Sequence, residues 1–121
     1  MNVINSRTHG VIDYVTGALL LIAPYIFGFA NNGIEHWLPM VLGAMIIVMS
    51  LITRYELSIA KIIPLPTHLM VDIVAGLLLA VSPWLFGFAN VIWWPHLLVG
   101  LMEIVVAVMT RRHADTVAGI R

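Results

Sequence analysis

Apolar and polar positions in this chain fall into long blocks. Four apolar stretches, about residues 9–29, 35–53, 67–88 and 94–110, are separated by short polar or turn-forming segments. Each has the roughly 17–22 residues that a helix needs to cross a hydrocarbon core of about 30 Å. The pattern predicts an all-α membrane protein with four transmembrane helices. Thr8 suits the N-cap of the first, since its hydroxyl can accept from a first-turn N–H. Pro24 removes one backbone hydrogen bond near that helix's far end and predicts a kink. Gly28 suits a helix terminus, and Asn31-Asn32-Gly33 reads as a turn.

The blocks are duplicated. Residues 8–31 and 67–90, from Thr-His through Phe-Gly-Phe-Ala-Asn, are identical at 13 of 24 positions. Downstream, Trp37, Gly43, Met45, Ile47, Val48, Thr53 and Arg54 match Trp94, Gly100, Met102, Ile104, Val105, Thr110 and Arg111. Each copy is therefore a helical hairpin that enters and leaves on one side. Tandem hairpins must point the same way, which predicts a pseudo-two-fold axis along the membrane normal. The organisation expected is a first two-span repeat over 1–54, a link over 55–66, a second repeat over 67–112 and a tail over 113–121. The link, apolar with single charges, is expected to lie in the interface as a short helix ended by Pro64 and Pro66. A cleaved leader is the rival reading for the first span, with Arg7 as its charge and Gly28-Phe29-Ala30 as a cleavage site. The internal second copy argues against it.

Composition agrees with the blocks. The 121 residues are 61% hydrophobic and 10% charged, against about 25% charged in soluble domains. Zero net charge leaves no basic field for nucleic acid, and the lack of cysteine removes thiolate metal, disulfide and Cys-nucleophile chemistry. All six basic residues, Arg7, Arg54, Lys61, Arg111, Arg112 and Arg121, lie in the lead, the link or the tail. The positive-inside rule then puts both termini in the cytoplasm. Trp37, Trp84, Trp93 and Trp94, with Tyr25, fall where amphipathic rings suit the opposite boundary.

Few polar residues remain to carry chemistry. His9 and Asp13 are four apart and share a helix face, as do His68 and Asp72. Small residues continue both stripes (Thr16, Gly17; Ala75, Gly76), so these faces are expected to pack on other helices. One reading is a symmetric two-His, two-carboxylate site for a metal, a haem or a proton. The other is a structural clamp in each repeat, Asp13 with Arg54 and Asp72 with Arg111. Glu103 is mid-span opposite Ile46 of the other copy, a placement costing roughly 2.5–3.5 kcal/mol on insertion scales. It predicts either proton or cation handling, or a helix-to-helix hydrogen bond to Ser50 or Thr16. His36 and His96 do not align between copies and predict no metal pair. No catalytic triad, P-loop or dinucleotide fingerprint is present, so neither an enzyme nor a cofactor is expected.

Two hairpins of about 50 residues, with THxxxD, GxLL and FGFAN in both copies and Ser82-Pro83-Trp84 in the second, resemble the SPW-repeat family of small prokaryotic membrane proteins. The first copy departs to Ala23-Pro24-Tyr25. The resemblance spans about residues 7–112 and implies a multi-pass protein of the prokaryotic inner membrane. It transfers no activity. The residues favour a structural, scaffold or accessory subunit that self-associates or joins a larger membrane protein. Alternatives are a small proton or cation transporter using Glu103, and a metal- or haem-binding protein using His9 and His68.

Overall fold

The computed structural model describes residues 4–53 and 58–110. Four helices follow one another: α1 (Ser6–Ile26), α2 (Ile34–Ile52), α3 (Leu65–Leu85) and α4 (Trp94–Met109). By length and apolar composition α1, α2 and α3 can each cross a membrane. α4, with 16 residues, is about 24 Å long at 1.5 Å per residue, and is the short member.

Packing reproduces the predicted repeat. α1 packs most closely on α2 and α3 on α4, while α2–α3 and α1–α4 contacts are fewer. Close approach within each hairpin depends on a pair of glycines. A Cβ placed on Gly43 would lie 2.7 Å from the Gly17 carbonyl oxygen, and one on Gly100 would lie 2.5 Å from that of Gly76. These pairs are equivalent positions of the two copies. Leu20, Leu42, Ile46, Ala75 and Leu79 form a buried cluster that joins the hairpins.

The shared Phe-Gly-Phe motif ends both odd-numbered helices in the same way. Gly28 and Gly87 take φ of +77° and +76°, the left-handed conformation that glycine adopts without a Cβ penalty. Phe29 N–H then donates to the Pro24 carbonyl and Phe88 N–H to that of Pro83. These bonds satisfy helix-end carbonyls in a Schellman arrangement. Pro24 and Pro83 lie inside their helices, which continue beyond them to Ile26 and Leu85.

Three local expectations are corrected. Asn5, not Thr8, caps α1: its side-chain oxygen accepts from Thr8 N–H at 2.8 Å, and the helix begins at Ser6. The described part of the link, 58–64, is not helical. It folds back on the end of α2, where Ile59 and Ala60 N–H donate to Leu51 O, and Ile62 and Ile63 N–H to Ile52 O. Orphan carbonyls of the helix terminus thereby find partners. Pro64 and Pro66 do not end a link helix but begin α3, as N-cap and first-turn residue, where proline's missing N–H is not needed.

Candidate intramembrane polar centre

His9, Asp13, His68 and Asp72 are brought together, all with side chains 0% exposed. They lie on α1 and α3 at the end of the bundle where the chain enters these helices. His9 Nε2 is 3.0 Å from Asp13 Oδ2 and 2.8 Å from Asp72 Oδ2. His68 Nε2 is 2.7 Å from Asp13 Oδ2 and 3.1 Å from Asp72 Oδ2. Two nitrogens and two oxygens thus alternate round a closed ring, and each histidine bridges its own helix to the other repeat. The imidazoles meet edge to face, with centroids 5.5 Å apart.

Two threonines complete the arrangement. His9 Nδ1 is 2.8 Å from Thr110 Oγ1 and His68 Nδ1 is 2.6 Å from Thr53 Oγ1. Each hydroxyl donates its single proton to the carbonyl one turn back, Thr110 to Val106 O and Thr53 to Met49 O, both at 2.5 Å. Each Thr oxygen must therefore accept, and each imidazole must donate from Nδ1–H. That bond fixes the ring so that Nε2 faces the two aspartates. The pairing again crosses between repeats, His9 of the first to Thr110 of the second and His68 of the second to Thr53 of the first. Ile4 bridges to Thr110 and Ile63 to Thr53 in the same sense, anchoring the start of each odd helix on the end of an even one.

Glu103 adjoins this ring. Its side chain is 1% exposed, and Asp13, Asp72 and His9 are its charged neighbours. Its Cβ would be 3.2 Å from a Cβ added at Gly76, one turn beyond Asp72. The predicted hydrogen bond to Ser50 or Thr16 is not formed. Among the described residues Glu103 Oε1 and Oε2, Ser50 Oγ, Asp13 Oδ1 and Asp72 Oδ1 have no hydrogen-bond partner. The carboxyl faces the aspartates of α1 and α3 instead of a hydroxyl. Its counterpart in the other repeat, Ile46, is packed in the apolar cluster.

The Arg54 and Arg111 clamps predicted for Asp13 and Asp72 lie outside the described residues. Oδ2 of each aspartate is held by histidine. The haem alternative does not suit the geometry: a porphyrin between His9 and His68 would need the volume that Asp13 and Asp72 occupy. The Pro-aromatic motif is separate from the centre. Ser82 is buried and donates to Leu79 O at 2.7 Å, Trp84 is exposed beside Trp93, and Tyr25 OH lies 3.3 Å from His36 Nε2. His96 Nε2 donates to Glu35 O at 3.0 Å, its ring lying between Phe29 and Phe88. His36 and His96 thus serve the other end of the bundle. The role of Thr53 and Thr110 was not read from the sequence, although both belong to the matched positions of the repeat.

Apolar helices of membrane-crossing length around a buried polar centre define a multi-pass α-helical membrane protein. The chain belongs to the SPW repeat domain family, whose model matches residues 7–110. No curated protein and no solved structure matches the chain.

Proposed function

We propose that this small membrane protein is a structural or accessory subunit and not an enzyme, a pre-formed four-helix unit that self-associates or packs beside a larger membrane protein. One observation carries the reading. The ring of His9, Asp13, His68 and Asp72 joins one repeat to the other, while the outward side chains of the helices are apolar, among them Val15, Val41, Val74 and Leu98. Such a surface suits lipid or another helix. The cationic lead, link and tail support cytoplasmic termini in a prokaryotic inner membrane. Cross-linking and native mass spectrometry in mild detergent test the reading. It expects a defined oligomer or a stoichiometric membrane-protein partner; monomer alone, with nothing co-purifying, contradicts it.

A second reading is favoured by Glu103, whose two carboxyl oxygens lack hydrogen-bond partners among the described residues and adjoin two further carboxylates. Intramembrane acids commonly mark ion or proton pathways. A proton or cation carrier of this kind would show flux in proteoliposomes that Glu103→Gln abolishes. Unchanged flux in that variant ends this reading.

A further inference from the structure

The structure assigns the ring of His9, Asp13, His68 and Asp72 as a binding site for one first-row divalent metal ion, of the class that takes imidazole nitrogen together with carboxylate oxygen. Four observations converge on it.

First, the donor atoms are gathered. One donor atom from each of the four residues lies within 4.8 Å of the others, and the Nε2···Oδ2 edges are 2.7–3.1 Å. Bonds of about 2.0–2.2 Å, usual for such ligands, correspond to edges of roughly 2.8–3.1 Å in a flattened arrangement and 3.3–3.6 Å in a regular tetrahedron. A flattened site therefore needs up to about 0.4 Å of expansion on the shortest edge, and a regular tetrahedron about 0.2–0.9 Å along the edges.

Second, the histidines are oriented as metal ligands. Each donates Nδ1–H to a fixed threonine hydroxyl, the kind of outer contact that sets tautomer and aim in metal sites. Nε2 is left to face the cage.

Third, the cage is short of donors. No nitrogen or hydroxyl donor of the described residues reaches Asp13 Oδ1, Asp72 Oδ1 or either Glu103 oxygen, although all three residues are at most 1% exposed, and the Glu103 carboxyl and Asp13 have each other as hydrogen-bond neighbours. Buried carboxyl groups gathered with so few donors are rare, and a cation beside them offsets their charge.

Fourth, the charges balance. Without metal, Nε2–H on both histidines is needed to bridge the two aspartates, giving two imidazolium and two carboxylate charges. One dication in place of those two protons leaves two neutral imidazoles and the same zero total. The four ring residues thus carry no net charge either way.

This inference goes beyond the accessory role and does not rest on it. The test is metal content and binding in the purified full-length chain, with Zn²⁺ as ligand and Co²⁺ as spectroscopic probe. Because the cage is closed, the ions are supplied both during expression and by titration after chelator treatment. The expected result is one Zn²⁺ per chain and, with Co²⁺, visible ligand-field absorption from a nitrogen–oxygen site. Asp72→Asn and His68→Gln each weaken Zn²⁺ binding by at least 100-fold. Thr53→Val removes a positioning residue and weakens it about 10–100-fold, with helicity unchanged. His36→Gln, at the opposite end of the bundle, leaves the stoichiometry at one. Wild-type protein that is helical and monodisperse, yet takes up no Zn²⁺ and gives no Co²⁺ band, overturns the assignment. So does a binding signal that survives His68→Gln and disappears in His36→Gln. If Asp72→Asn fails to fold, the wild-type stoichiometry and Co²⁺ spectrum still decide. An oligomer found without metal leaves the accessory reading standing and removes this one.

Discussion

At the residue scale, two kinds of residue do unlike work in the odd-numbered helices and just past their ends. Asp13 and Asp72 are wholly buried and each is shared by two histidines. Removing one partner of a buried charge pair leaves the other uncompensated, at a cost of about 3–5 kcal/mol. Asp13→Asn is therefore expected to lower stability by that order, read as a lowered midpoint in denaturant unfolding from micelles. A change under about 1 kcal/mol would show that the carboxylate is not used as described. Gly28 and Gly87 act through backbone conformation alone. An added Cβ meets nothing within 4 Å at either, so Gly28→Ala isolates the left-handed strain, about 1–2 kcal/mol. The same substitution at Gly87 should cost about the same, because the two φ angles agree to one degree. Unequal losses would mean that the two helix ends are not equivalent.

At the element scale, the hairpins depend on backbone approach at Gly17–Gly43 and Gly76–Gly100. Overpacking typically costs about 1–3 kcal/mol, and the surroundings separate two of the four sites. A Cβ on Gly100 would meet only backbone, Gly76 O at 2.5 Å and Ala80 N at 2.6 Å. At Gly17 the nearest atom is Ile47 Cγ1, a side-chain carbon that can move. Gly100→Ala should therefore lower the melting temperature in detergent more than Gly17→Ala, and the reverse order would refute this account of the packing. The sequence made the helices legible because length and apolar composition alone decide membrane helices. Their ends were less legible. Asn5 outcompeted Thr8 as a cap, and the link paired with α2 instead of coiling, both through hydrogen bonds invisible to hydropathy.

At the scale of the whole molecule, the duplication explains the fold, and Glu103 is a marked departure from it. His9 with Asp13, and His68 with Asp72, could be placed on shared helix faces from their spacing. That each histidine would reach the threonine ending a helix of the other repeat could not, because helical spacing says nothing about which hairpins exchange contacts. Glu103 stood out as an unmatched acid, but its neighbours came only from the packing of α4 against α3 and α1. Two tandem hairpins held this way must share one orientation. Reporter tags at Asn32 and at Asn90 are expected to lie on one side of the membrane, and tags at the two termini on the other. A split between Asn32 and Asn90 would rule out parallel repeats.

The central claim is that the two repeats are joined through their buried His–Asp ring, and a double-mutant cycle between His9 and Asp72, 63 positions apart, tests it most directly. Unfolding free energies of the wild type, His9→Gln, Asp72→Asn and the double variant would be compared in one detergent. The account predicts that the single losses do not add, with a coupling of about 1–3 kcal/mol. Additivity to within about 0.3 kcal/mol would show that the two side chains do not meet, and would contradict it.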